Sequence, residues 1–188
     1  RQLESAMELK KHLGRELIVA DPYAGVGPSM GALLCEPELV RGYRAGDLNP
    51  DAVDLLNDNL AYLDGRRKMI DGTPCRPLSP ADTVCQDATL WALSPELRET
   101  FDLLIVNLPH ESISHLPSLL PLLRRDGMTV LRGWAIIDRE HKEAEKNNIT
   151  KAILSDERTI ESFSFSEVKG FSATKSFMCF EAWIAHEK

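Results

Sequence analysis

A chain of 188 residues is long enough for one domain with a substantial core and too short for two ordinary ones. With 43% hydrophobic and 27% charged residues, and only 11 Gly and 11 Pro, the composition excludes collagen-like, low-complexity and wholly disordered chains. A formal charge of −7 excludes a surface that holds nucleic acid by bulk attraction alone, while leaving room for a local basic patch.

Hydrophobic runs alternate with helical patterns along the chain, which predicts an α/β protein. Residues 4–13 have the spacing of an amphipathic helix, ended by Gly14. Residues 17–20 form a short apolar strand stopped by Asp21 and Pro22, and a glycine-rich turn follows, with a helix expected from 30 to 35. A second strand over 40–45 closes at Gly46-Asp47. Asn49-Pro50-Asp51 then starts a helix expected to reach about 63. Residues 64–81 carry two glycines and three prolines and are expected to be a loop. Residues 83–86 make a third strand ending at Asp87, and 101–106 a buried fourth strand stopped by Asn107-Leu108-Pro109. A helix over 113–123, a strand over 128–137 and a charged, exposed helix over 139–147 follow. Two long strands, 159–168 and 175–185, form an antiparallel pair on an otherwise parallel sheet. The whole chain, 1–188, is expected to be a single domain.

The four cysteines (Cys35, Cys75, Cys85, Cys179) and five histidines (His12, His110, His115, His141, His186) form no metal-ligand spacing, so the thiols are expected to be reduced and mostly buried. No apolar run approaches the ~20 residues a membrane helix needs, and no leader pattern opens the chain. This reading places the protein in the cytoplasm and away from membranes, with its oligomeric state open. The basic clusters Arg66-Arg67-Lys68 and Arg124-Arg125 are expected to be solvated charge, and Trp91, Trp134 and Trp183 to be core or core-edge aromatics.

Three strand ends carry unusual chemistry. Ligands of open parallel sheets bind beyond the carboxyl ends of the strands, where the chain order reverses. The first end reads Asp21-Pro-Tyr-Ala-Gly25-Val-Gly27-Pro28, and its glycines allow a tight turn and close approach of backbone to a ligand. The second ends in Asp47, twenty residues after Gly27, where a carboxylate accepts hydrogen bonds from both hydroxyls of a ribose. The fourth ends in the rigid polar turn Asn107-Leu108-Pro109. Gly25-x-Gly27-x-x-x-Gly31 taken alone is compatible with an NADP site. Pro28, however, lacks the N–H that a helix start offers a diphosphate, so a ribose-bearing cofactor without phosphates fits better.

These three segments, with Gly46-Asp-Leu-Asn-Pro50 as the second, resemble the tRNA (guanine-N1) methyltransferases acting just 3′ of the anticodon. The related wybutosine-synthesis transferases share the first loop. The resemblance covers about residues 16–135 and implies a Rossmann-like class I methyltransferase fold: a mostly parallel seven-stranded sheet with a C-terminal antiparallel hairpin and helices on both faces. It implies S-adenosylmethionine as cofactor, held by Asp21, Ala24, Gly25 and Gly27 on the methionine and ribose side. Asp47, Leu48 and Asn49 hold the ribose, and Asp87 and Ala88 border the adenine. Asn107, also set against the cofactor, Leu108 and Pro109 form the wall where the target base meets the methyl group. A guanine N1 target also needs a general base, for which the resemblance nominates Glu4 on the first helix, with Glu8 nearby. Tyr23 and Ser29 stand where the family has Phe. The implied partner is tRNA, bound through domains outside this chain, which then forms the C-terminal catalytic part of a longer protein. Two alternatives stay open: a methyltransferase of another substrate, and a non-catalytic partner subunit that keeps the fold.

Overall fold

The computed structural model describes residues 2–65 and 76–185; Cys75, His186 and the Arg66-Arg67-Lys68 cluster lie outside them. Among the described residues, twelve α-helices and strands follow one another as α1 (Gln2–Leu13), β1 (Leu17–Asp21), α2 (Pro28–Leu34), β2 (Val40–Asp47), α3 (Pro50–Gly65), β3 (Ala81–Cys85), β4 (Leu103–Val106), α4 (Ser112–Leu119), β5 (Thr129–Asp138), α5 (Lys142–Ser155), β6 (Thr159–Gly170) and β7 (Lys175–Ala185). The strands form one sheet in the order β3-β2-β1-β4-β5-β7-β6. The first five are parallel, and β7 runs antiparallel between β5 and β6. After β3 the chain crosses back past β1 to lay down β4, so the order reverses between β1 and β4. That is where such sheets open a crevice at their carboxyl ends.

Alternation along each strand divides the core in two. Ile18, Ala20, Leu104, Val106 and Leu131 face α4 and α5. Leu17, Val19, Leu103, Ile105 and Val130 face α1 and α2. The near-continuous apolar sequence of β1 and β4 follows from burial on both faces. At the amino ends of these strands Asp102, fully buried, accepts two hydrogen bonds from the Arg15 guanidinium, at 2.7 and 2.9 Å, and one from the Ile18 N–H at 2.8 Å.

Several boundaries differ from the sequence reading. The helix expected over 113–123 is α4 plus a separate 3-10 turn, Leu120–Leu122, because Pro117 and Pro121 each remove a helical N–H. The helix expected over 139–147 runs instead from Lys142 to Ser155, and it buries Ile149 and Ile153 against the sheet, so it is a packing helix as well as a charged one. An unexpected 3-10 turn, Ala88–Leu93, buries Trp91 completely. Cys179 is buried, but Cys35 and Cys85 are exposed, which corrects the expectation of mostly buried thiols. Arg124 pairs with Asp126, and Arg125 with Glu99 and Asp156, so neither guanidinium is a free phosphate ligand.

Candidate ligand pocket at the strand tips

The turns after β1, β2, β3 and β4 enclose a cavity of about 590 Å³, within the range of small-molecule sites. Ala24, Gly25, Asp47, Leu48, Asp87, Ala88, Asn107 and Leu108 line it together, although they come from four separate stretches of sequence. The turn after β1 is fixed by backbone bonds: the Ala24 N–H donates to the Gly46 carbonyl and the Gly27 N–H to the Ala24 carbonyl, both at 2.8 Å. Gly25 and Gly27 have φ of 54° and 89°, and a Cβ at Gly27 would sit 2.7 Å from a Leu56 methyl. The helix that follows begins at Pro28 with no side-chain cap.

Asp47 joins two of the turns. Its Oδ2 accepts from the Gly25 N–H and its Oδ1 from the Asn49 N–H, both at 3.0 Å. Asn49 itself is turned to α3, where its side-chain oxygen accepts from the Asp51 N–H at 3.1 Å. Asp87 caps the next turn, accepting from the N–H and hydroxyl of Thr89, and these bonds hold its pKa below the ordinary carboxylate value. Asn107 projects at the β4 tip, while the Ser112 hydroxyl donates to the Leu108 carbonyl at 2.8 Å and the Ile136 N–H donates to the Pro109 carbonyl, fixing the Asn-Leu-Pro turn.

Not every nominated residue reaches the cavity. Asp21 lies beneath it, fully buried, with neither carboxylate oxygen hydrogen-bonded. Desolvation, reinforced by the charge of Asp47, pushes its pKa up to about 7. Gly27 shapes the turn without lining the cavity, and Pro109 faces a neighbouring groove between α4 and α5 together with His110. Glu4 is a correction: α1 packs on the opposite face of the sheet, and Glu4 lines a different, polar hollow with Glu8, Arg132 and Glu181. There Arg132 pairs with Glu181, which also accepts from the Ser5 hydroxyl at 2.6 Å.

Sequence reasoning passes over Glu111 and reads His110 and His115 as solvated helix-start residues, yet Glu111 and His115 line the cavity from the start of α4. Their i, i+4 spacing just after the Asn-Leu-Pro turn was the available signal. The Tyr23 hydroxyl and His115 Nδ1 are hydrogen-bonded at 2.7 Å, in either of two tautomers, and burial together with the charges of Asp87 and Glu111 pushes the Tyr23 phenol up. Three carboxylates thus line the cavity, Asp47, Asp87 and Glu111, while among the described residues no Lys or Arg does.

No protein-family model matches the chain, and no curated protein matches it in sequence. Solved structures do match. TYW2 of M. jannaschii, in complex with AdoMet, superposes with a TM-score of 0.72 at 14% identity, over 99% of this chain and 76% of that one. The M. jannaschii tRNA m1G37 methyltransferase gives 0.65 at 19% identity, over 98% of this chain and 49% of its own length. The complex of aTrm5 with tRNALeu gives 0.61 at 20% identity, over 96% and 44%. The fold is that of the class I methyltransferases. This chain therefore spans about half the length of the two tRNA methyltransferases it superposes on. No helix among the described residues is long and apolar enough to cross a membrane.

Proposed function

We propose that the protein is an S-adenosylmethionine-dependent methyltransferase acting on a tRNA base, guanine N1 next to the anticodon. The observation that carries this reading is the acidic, glycine-turned cavity at the strand tips. Three carboxylates and, among the described residues, no Lys or Arg line the cavity, which repels a dinucleotide diphosphate, and Pro28 denies it a helix-start N–H. The same charges favour a cationic nucleoside. S-adenosylmethionine supplies an activated methyl group on a positively charged sulfur.

The residues fit that ligand. Asp47 is oriented by two backbone donors, and each of its oxygens keeps acceptor capacity for a ribose hydroxyl. Leu48, 71% exposed beside it, offers an apolar face to the purine, and Asp87 and Ala88 border the ring. Ala24 and Gly25 bring backbone close to the amino-acid end, over Asp21. Asn107, held at the end of a rigid strand, orients the target base, with Leu108 as its wall. Superposition on a tRNA m1G37 methyltransferase and on a tRNA complex supports the substrate class. Binding of the tRNA body is assigned to domains outside this chain, with the cytoplasm as the proposed location.

A second reading keeps the cofactor and transfers its aminocarboxypropyl chain instead of the methyl. The similarity to TYW2, 76% of whose length is covered, favours it. The Asn-Leu-Pro turn, which the wybutosine-synthesis transferases usually lack, opposes it.

Calorimetry with S-adenosylmethionine and with NADPH tests the cofactor, and binding of NADPH alone would refute the proposal. Bulk tRNA incubated with cofactor labelled in the methyl group, or separately in the carboxyl carbon, then separates the two transfers. Label appearing only from the carboxyl carbon selects the second reading. Cofactor binding with no label transferred from either position selects a non-catalytic partner subunit or another substrate.

A further inference from the structure

A guanine N1 carries a proton that must leave as the new N–C bond forms, and the helix nominated to remove it lies on the wrong face of the sheet. Besides Glu111, exposed at the N-cap of α4, the cavity offers few replacements. Asp47 is committed to two backbone N–H donors. Asp87 is held by Thr89 and is a weaker base for it. Asp21 is sealed beneath the floor. His115 differs from all three. It is half-buried, lines the cavity, and is bonded at Nδ1 to the Tyr23 hydroxyl, while its Nε2 has no hydrogen-bond partner among the described residues.

We propose that Tyr23 and His115 act as a pair, with His115 Nε2 accepting the proton released by the target nitrogen and the Tyr23 oxygen holding the ring by accepting from Nδ1–H. This rests on the methyl-transfer reading above and adds to it the proton acceptor. In the step, Nε2 takes the N1 proton, the nitrogen electron pair forms the bond to the methyl carbon, and the C–S bond breaks with its pair left on sulfur. One positive charge thereby moves from the sulfonium to the imidazolium, which later returns its proton to water. The rings of Tyr23 and His115 lie 5.9 Å apart at 43°, so the contact fixes ring orientation as well as tautomer. Two carboxylates face the pair: Asp87 from the β3 tip and Glu111 one turn before His115 on its own helix. Glu145 and Lys151 of α5 face the far flank of α4, at Ser114 and Pro117. The signal lies in a departure from the family resemblance: Tyr23 stands where Phe is usual, and its added hydroxyl is the group that meets the histidine.

The test measures methyl transfer from labelled S-adenosylmethionine to bulk tRNA between pH 5 and 9, with cofactor affinity determined in parallel for each variant. For the unaltered protein the rate rises with one ionisation to a plateau. His115→Gln is expected to lose on the order of 100-fold in rate and the plateau, with cofactor affinity unchanged. Tyr23→Phe is expected to lose less and to move the midpoint of the profile to lower pH, because the imidazolium loses an acceptor. A merely structural role would lower rate at every pH and leave the profile where it was, and that result overturns the proposal. So does a profile that flattens in Glu111→Gln instead. An unaltered protein that binds the cofactor and labels no tRNA even at saturating tRNA concentration, where outside domains are not needed to recruit it, also overturns it, leaving the cofactor assignment standing. Absence of cofactor binding overturns the underlying reading instead.

Discussion

Replacing Asp21 with Asn should make the protein's stability less dependent on pH. In the folded chain the carboxyl is sealed from water and feels Asp47, which together outweigh the Tyr23 backbone N–H, so its pKa rises from an ordinary 3.8 to about 7. The unfolded chain releases that proton near the ordinary value. Stability owed to this group is therefore complete below about pH 4, falls as pH rises towards 7, and is level above that. At about 1.36 kcal/mol per pKa unit, the loss approaches ~4 kcal/mol. Asn imitates the protonated acid in shape and carries no proton to lose. Urea unfolding of both proteins at pH 4, 6 and 8 gives the measurement. The variant's stability relative to the parent should rise by about 4 kcal/mol across that span, other carboxylates cancelling in the difference. A difference that stays constant with pH would mean that Asp21 is already ionised in the folded state, and the account of a desolvated acid beneath the pocket would fail.

Asp47→Ala should weaken S-adenosylmethionine binding by roughly 1–3 kcal/mol in calorimetry, since charge-assisted bonds to the sugar and the tie to Gly25 are lost together. Asn107→Ala should leave that affinity unchanged and depress turnover, and the opposite pattern would move Asn107 into the cofactor site. Gly27→Ala should cost about 1–3 kcal/mol of stability in denaturant unfolding, because φ of 89° strains any side chain and a Leu56 methyl must also move. Asp102→Ala should cost about 2–4 kcal/mol by stranding the buried Ile18 N–H and the Arg15 guanidinium, while cofactor affinity measured below the melting range stays as it was.

What could be read from the sequence was local. Short apolar runs ending in Asp21, Asp47, Asp87 and Asn107 announce both the strands and their tips, because burial on two faces leaves a strand little freedom of composition. The cavity lining confirms that these tips converge. The partnership of Tyr23 with His115 spans 92 positions, and no local pattern registers it. Glu4 was misplaced for a related reason: helical periodicity says that a face is buried, not which side of the sheet buries it. The length of α5 was missed because Asn147, Asn148 and Thr150 favour ends over interiors, a preference that burial of Ile149 and Ile153 overrides. Asp21 was nominated as a residue lining the cofactor, and it is absent from the cavity lining. That it is sealed rather than lining depends on how the turn above it folds over.

The Arg15–Asp102 clamp sits at the feet of β1 and β4, the length of a strand away from the cavity that opens above the same two strands. Durability and reactivity are thus lodged at opposite poles of one sheet. An engineer seeking heat resistance can work on the lower pole, and one seeking a new acceptor can rebuild the loops above, each with little risk of undoing the other's gains.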